Sequence, residues 1–442
     1  MNLFRALRLD QSANHPIIAF TGSGGKTTAL FQLAQQYREA KCEKVFITAT
    51  SHLGRWQTTV SDHHILIETE MDFANLPTSG VVLFTGRFED ERTTAISKNA
   101  LSWLRAYSKD NNIPLLIESD GSRQKPLKAP APHEPPIPDF AEIVVHVCGL
   151  SGLGKSLNEE NVHRPGLFSQ LTQLQPGETI SSQSLLKILT HPQGGLKNIP
   201  QTAKRIALLN QADSPVLQST GGNMARELVR DYHAVFVGSL PSNNLLVFEP
   251  TAGIILAAGT SSRYGQIKQL LDWKGKPFVR HIAETALQAE LEPVVVVTGF
   301  RHTEIESQLQ DLPVSIIHNP DYEQGQSASI KAGISALAAH VGAAVFLLAD
   351  QPQIPAEVIR ALVEAHASDL QAILAPLVLE EKRANPVLFD RATFPSLLTL
   401  EGDMGGRGIF DRHKVSYLPW HDDILIFDVD KPEDYERLKT FE

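Results

Sequence analysis

The sequence predicts an α/β chain of two domains in series, and three observations carry that reading. Two short apolar runs, Pro16 to Phe20 and Ile254 to Ala258, each break into a glycine-bearing loop. Apolar strands then alternate with helical patterns, most regularly after residue 250, as a mostly parallel sheet requires. At 442 residues the chain is also long enough for two or three full-sized cores.

Composition narrows the function. Hydrophobic content of 42% and charged content of 20% are those of a soluble globular protein. A net charge of −10 argues against general nucleic-acid or anionic-membrane binding, so the expected partners are small molecules. Cys42 and Cys148 stand alone, which excludes a disulfide framework and a cysteine-based zinc site. The first residues lack a secretory apolar region and no run is long enough to span a bilayer, so the expected location is cytoplasmic.

In the first domain the strand Pro16 to Phe20 runs into Thr21-Gly22-Ser23-Gly24-Gly25-Lys26-Thr27-Thr28 and a helical pattern through Tyr37. Strand, glycine-rich loop, Lys-Thr and helix is the order of a P-loop. Gly22, Ser23, Gly24 and Gly25 bring backbone N–H groups to a phosphate chain, with Lys26 as a point charge and Thr28 in the first turn. Thr27 is a candidate Mg²⁺ ligand through its hydroxyl. The usual first glycine of that motif is Phe20 here, and the shortened loop resembles that of the Mur ligases and folylpolyglutamate synthases. ATP or GTP is the expected occupant.

A second strand, Val45 to Ala49, leaves Thr48, Thr50, Ser51 and His52 at its carboxyl end, where ligands collect in open α/β sheets. A third, Pro114 to Ile117, ends in Glu118-Ser119-Asp120-Gly121. An apolar strand ending in acids is the Walker B arrangement, which makes Glu118 and Asp120 candidate metal ligands, directly or through water. The proline-dense stretch Lys125 to Pro138 forbids helix and central strand. It is expected to drape over the nucleotide site, with Arg123, Lys125 and Lys128 as phosphate contacts. Gly152-Leu153-Gly154-Lys155 reads as a structural turn, and His133, His163 and His191 lack metal-ligand spacing. The strand Ile206 to Leu209 ends in Asn210-Gln211-Ala212-Asp213, which resembles the base-reading Asn-x-x-Asp corner of some P-loop proteins.

Taken in order, Gly-Ser-Gly-Gly-Lys-Thr-Thr, Glu-Ser-Asp-Gly-Ser-Arg, Pro-Leu-Lys-Ala-Pro-Ala-Pro-His-Glu-Pro, Val-His-Arg and Leu-Asn-Gln-Ala-Asp resemble the YqeC-type accessory proteins. That resemblance implies a P-loop NTPase-like helper over 1–247, associated with maturation of selenium-dependent molybdenum hydroxylases. A hydroxylase apoenzyme is then the implied protein partner.

The second domain, 248–442, opens with Gly253-Ile-Ile-Leu-Ala-Ala-Gly-Thr-Ser-Ser-Arg-Tyr-Gly-Gln-Ile-Lys268. Ser261, Ser262 and Gly265 are small enough for backbone amides to approach phosphates, and Arg263 and Lys268 add two cations. Asn319-Pro opens a second loop, whose Gly325, Ser327 and Ser329 are candidates to face a nucleotide. The apolar strand Val345-Phe-Leu-Leu-Ala delivers Asp350 to the sheet edge as a candidate metal ligand.

This composite resembles the signature loop of the MobA-like and MocA-like nucleotidyltransferases of molybdenum cofactor synthesis, a Rossmann-like, doubly wound, GT-A-like fold. The resemblance implies nucleotide contacts at Leu256, Ala257, Ala258, Gly259, Ser261, Arg263 and Lys268, catalytic roles for Arg263, Lys268 and Asp350, and Asp430 as second metal ligand with Asp428 behind it. Gly402-Asp-Met-Gly-Gly-Arg matches the family's Gly-Asp-x-Gly-Ala-Arg loop, which makes Asp403 and Arg407 pterin-side candidates. Leu-Ala-Ala-Gly is the form associated with cytosine, Leu-Ala-Gly-Gly with guanine. The implied reaction joins CTP to Mo-molybdopterin with Mg²⁺ and releases pyrophosphate. Two alternatives stand beside it: a cytidylyltransferase for another phosphorylated small molecule, and a nucleotide-switched carrier or chaperone for the hydroxylase.

Overall fold

The computed structural model describes the chain apart from residues 69–71, 73–74, 261–263, 265 and 442. It forms two compact units, Met1–Phe248 and Glu249–Glu442.

In the first unit nine strands make one sheet: β1 (Ile17–Gly22), β2 (Lys44–Ala49), β3 (His63–Leu66), β4 (Gly80–Thr85), β5 (Leu115–Glu118), β6 (Ile143–Gly149), β7 (Lys204–Asn210), β8 (Ala234–Val237) and β9 (Leu246–Phe248). Their order is β9-β8-β7-β6-β1-β5-β2-β4-β3. All pairs are parallel except β8–β9. Parallel strands are covered on both faces, which is why Ile-Ile-Ala-Phe and Leu-Leu-Ile read as unbroken apolar runs rather than alternations. β1 lies between β5 and β6, so the loop after Gly22 and the acids after Ile117 leave the sheet side by side. The antiparallel strand β9 adds an edge to this sheet beside β8.

The proline-dense stretch takes the draped course. The Pro126 carbonyl accepts from Ser23 Oγ at 2.9 Å and from the Gly149 N–H at 3.1 Å, and the Pro136 carbonyl accepts from Thr50 Oγ1 at 2.8 Å. Leu127–Lys128 pairs in parallel with Val162–His163.

The second unit is built on β10 (Thr251–Ala257), β11 (Val294–Thr298), β12 (Ser315–His318), β13 (Ala343–Leu348), β14 (Ile373–Val378), β15 (Val387–Asp390) and β16 (Val415–Trp420). The order is β12-β11-β10-β13-β15-β14, with β16 parallel to β14. Apolar layers cover both faces, one around Ile255, Val279 and Ile359, the other around Ile254, Ile330 and Phe389. β15 runs antiparallel between β13 and β14, an insertion that no local pattern in the sequence announces. The chain winds from β10 outward to β12 and returns to the other side at β13. The gap between β10 and β13 is therefore the topological switch point where ligands bind in such sheets. No helix among the described residues is long and apolar enough to cross a membrane.

Candidate functional site

Each unit presents one candidate site at its strand ends. In the first, β1 ends at Gly22 and the helix Lys26–Glu39 starts four residues later with Gly25 as its cap. Gly22, Gly24 and Gly25 hold φ of 89°, 81° and 128°, a region that glycine enters without strain. The cradle also has no room for a side chain. A Cβ on Gly22 would lie 2.2 Å from the Val147 carbonyl oxygen, and one on Gly25 2.3 Å from Asn210 Nδ2. Lys26 is buried and turns back over the loop, its Nζ donating to the Gly22 carbonyl at 2.7 Å.

Thr27 Oγ1 donates to Glu118 Oε2 at 2.9 Å and accepts from Gln57 Nε2 at 2.8 Å. Burial raises the Glu118 carboxyl, while the Lys26 charge and the Thr27 hydrogen bond oppose that rise. The hydroxyl and carboxylate oxygens of Thr27 and Glu118 are donors that suit a hard divalent cation. Asp120 is more heavily engaged than its position after the strand foretold. Its Oδ2 accepts from Lys128 Nζ at 2.6 Å and from the Gly22 N–H at 3.3 Å. Its Oδ1 is buried without a hydrogen bond, 3.4 Å from the Lys26 ammonium, and remains open to a bound cation. Lys128 is not poised for phosphate: it is buried against Asp120, the Gly121 carbonyl and Glu134. Arg123 and Thr28 are exposed, and Lys125 is half-buried.

His146, on β6 beside the loop, lies with Nδ1 3.0 Å from Thr21 Oγ1. Burial pulls its imidazole from near 6.5 to about 4; Asp120 opposes the shift, and Lys128 and Lys26 add to it. The unfolded chain therefore holds more protons than the folded one between pH 4 and 6.5, and stability falls as pH drops through that window. His163 is also held at about 4, by burial first and then by Arg164, Lys128 and Arg123, and adds to the slope. In urea unfolding, His146→Gln is expected to flatten the pH dependence of the first unit across this window, in part. An unchanged profile would rule out His146 as a source.

In the second unit Leu256 and Ala257 end β10, Ala258 is buried, and Gly259 is exposed with its carbonyl accepting from Gln269 Nε2 at 3.1 Å. The Ala258 methyl packs toward Gly299, where an added Cβ would sit 2.9 Å from it. The Ala349 N–H donates to the Leu256 carbonyl at 3.2 Å, which ties the two loops at the switch point. Ser261 and Arg263, with Ser262 and Gly265, lie outside the described residues.

Lys268 gathers the far side of the site. Its Nζ is 3.2 Å from Asp350 Oδ2, 3.1 Å from Asp430 Oδ1 and 2.9 Å from the Val429 carbonyl. Partial burial depresses the ammonium, but Asp350 and Asp430 prevail and its pKa is raised, so it stays charged. Asp428 is pushed up, first by burial and also by Asp350 and Asp430, while a hydrogen bond from Gln351 Nε2 opposes the rise. Asp350 and Asp430 thus converge on one cation, in hard oxygen chemistry that suits a divalent metal. Among the described residues no cluster of three or more His, Cys, Asp or Glu side chains is poised as a metal site.

Beside this group lies a cavity of about 420 Å³ whose wall includes Leu256, Gln351, Arg383, Asn385, Arg407 and Asp428. Gln351 also accepts from Asn385 Nδ2 at 3.3 Å, and Gln353 Nε2 donates to the Phe427 carbonyl at 2.6 Å. These three amides join the Asp350 and Asp428 loops, and sequence reasoning missed the two glutamines because their partners are 74–77 positions away. The Gly325 loop is held by the distant turn at residues 402–403. Asp403 Oδ1 accepts from the Gln326 N–H at 3.4 Å and the Gly402 carbonyl from the Ser327 N–H at 3.2 Å. Ser327 and Ser329 are buried, and Ser329 Oγ accepts from Asn319 Nδ2 at 3.1 Å. Asp403 therefore caps the helix Gln326–Ser335, while Arg407 faces the cavity.

Comparison with known proteins divides the chain in the same way. Residues 18–166 match the family model of the YqeC protein, and 253–416 that of the MobA-like NTP transferase domain. The uncharacterized protein YqeC of Escherichia coli K12 is 33% identical over 212 residues, 46% of this chain and 80% of its own. The purine catabolism protein PucB of Bacillus subtilis 168 is 32% identical over 199 residues, 42% of this chain and 95% of its own. The molybdenum cofactor cytidylyltransferase of E. coli K12 is 41% identical over 85 residues, 19% of this chain and 44% of its own. A probable molybdenum cofactor guanylyltransferase of Bacillus cereus Q1 is 33% identical over 133 residues, 30% of this chain and 64% of its own. The chain thus belongs to the YqeC family through its first unit and to the MobA-like NTP transferases through its second, which makes it a nucleotidyltransferase.

Proposed function

We propose that the second unit transfers CMP from CTP to the terminal phosphate of Mo-molybdopterin and releases pyrophosphate. The observation that carries this reading is the meeting of Lys268, Asp350 and Asp430 at the switch point, beside a cavity floored by Leu256. A phosphate oxygen of the pterin bonds to the α-phosphorus as the bond from that phosphorus to the departing pyrophosphate breaks. The attacking oxygen already carries negative charge, so no side-chain base is required. Lys268 stays protonated and offsets charge that spreads over the transferred group. Arg407 and Arg383, on the cavity wall, suit an anionic acceptor. Asp350 and Asp430 would hold Mg²⁺, which when bound neutralises triphosphate charge. Cytosine is supported by the Leu-Ala-Ala-Gly form of the loop and by the E. coli cytidylyltransferase.

The first unit is proposed to bind a Mg²⁺–nucleoside triphosphate at Gly22–Thr28, with Thr27 and Glu118 toward the metal, and to act as a switched helper for a molybdenum hydroxylase apoenzyme. Supplying cofactor beside a tethered helper raises its effective concentration at the target.

The test incubates the full chain with each nucleoside triphosphate, Mo-molybdopterin and Mg²⁺. Product from CTP alone is the expected result. Equal turnover of GTP and CTP would sink the cytosine assignment, and product with a sugar phosphate but none with the pterin would move the acceptor to another class. For the helper, Lys26→Ala is expected to abolish both nucleotide binding by the first unit and co-purification with the hydroxylase.

A further inference from the structure

We propose that the phosphate-loop site of the first unit takes a guanine nucleotide, and that Asp213 reads the base. The proposal rests on the nucleotide-phosphate reading of Gly22–Thr28 and names the base at that site.

The turn 210–213 is keyed to the phosphate loop. Asn210 ends β7 level with Gly149 of β6, the strand next to β1. Its Nδ2 donates to the Gly24 carbonyl at 2.8 Å, and its Oδ1 accepts from the Leu240 N–H at 3.1 Å. One buried amide thus joins the phosphate loop, the end of β7 and the turn after β8. That last turn is also fastened to the phosphate-loop helix, since Gln32 Nε2 donates to the Leu240 carbonyl and to Asn243 Oδ1, both at 2.8 Å. The carboxyl ends of β1, β7 and β8 therefore form one continuous rim. A base carried on phosphates at Gly22–Thr28 must lie along such a rim.

The rest of the turn is spent on holding its shape. Gln211 adopts φ 63°, and its Oε1 accepts from Ser151 Oγ at 2.6 Å. Ala212 is buried; its N–H donates to the Gly238 carbonyl at 3.0 Å and its carbonyl accepts from Gln218 Nε2 at 3.2 Å. Ser214 caps the helix Pro215–Leu228, Oγ accepting from the Leu217 N–H at 3.3 Å. Asp213 alone is presented outward, exposed and without a protein partner among the described residues.

A carboxylate fixed there discriminates between purines. Guanine offers two adjacent donors, N1–H and the 2-amino group, which one carboxylate accepts together. Adenine places an unprotonated N1 at the same edge, and two acceptors repel. A site built to hydrogen-bond its ligand rejects the analogue that cannot answer.

The test titrates nucleotide-free full-length protein with GDP, ADP and xanthosine diphosphate in the presence of Mg²⁺. The Lys26→Ala chain is run in parallel to mark binding at the phosphate loop. GDP is expected to bind at least about 100-fold more tightly than ADP. In Asp213→Asn, GDP affinity falls about tenfold or more and that of xanthosine diphosphate rises, because the new amide donates to the 2-oxo group. Since Asp213 is exposed, the urea midpoint of this variant should match the parent. Equal, Lys26-dependent binding of ADP and GDP would overturn the base assignment and leave the phosphate site standing. Absence of any Lys26-dependent binding would overturn both. Undiminished GDP affinity in Asp213→Asn would remove Asp213 as the reader.

Discussion

Asp350→Asn is expected to lower kcat for nucleotidyl transfer by about 10³-fold, with little change in stability. The substitution keeps the shape and one acceptor oxygen, so the 3.2 Å contact with Lys268 can persist. What is lost is the charge that, on the proposed reading, would hold a cation against the triphosphate at the switch point. Asp350 is more sheltered than Asp430, with side-chain exposures of 36% and 64%, so Asp430→Asn should cost less. The two acids share Lys268, and their double variant should fall short of the product of the single effects. Single-turnover rates with saturating CTP and pterin measure this. If Asp350→Asn transfers nucleotide at the parent's rate, the catalytic reading of this site is wrong.

Lys128→Met carries the largest expected cost to folding, about 3 kcal/mol of first-unit stability. The Lys128 side chain is 2% exposed and neutralises Asp120 at 2.6 Å and Glu134 at 3.0 Å. Removing it leaves Asp120, itself 2% exposed, with the Gly22 N–H and the more distant Lys26. Arg164 still grips Glu134 with two hydrogen bonds of 2.7 and 2.8 Å, which keeps the loss near the lower end for broken buried pairs. Burial tends to raise the Glu134 carboxyl, but Arg164 and Lys128 overcome it and hold the group at about 2. Its folded pKa is depressed, so its contribution is complete above about pH 4.5 and is lost as pH falls toward 2. Urea unfolding checks both effects. Lys128→Met/Asp120→Asn should recover part of the loss, and a single variant within about 0.5 kcal/mol of the parent would show that the network contributes little.

Local patterns revealed the parts of this protein that depend on local chemistry. The glycines before Lys26 carry positive φ, and the apolar runs before Glu118 and Asp350 are strands that emerge beside the phosphate-type loops. Pairings across long chain separations stayed hidden. Nothing beside Gln351 marks it as the partner of Asp428, and nothing in the proline-dense stretch shows that Lys128 is spent on Asp120 and Glu134. β15 reads as any apolar strand, and its direction is set by packing between β13 and β14. Asp403 shows the same limit: its place in a family-like loop makes it a pterin-side candidate, and only the folded chain shows its carboxylate accepting at a helix start.

Lys268 stands between Asp350 and Asp430. On the proposed reading, a triphosphate entering there meets a cleft whose acidity is half cancelled, so the approach of like charges is softened by a charge the chain itself carries.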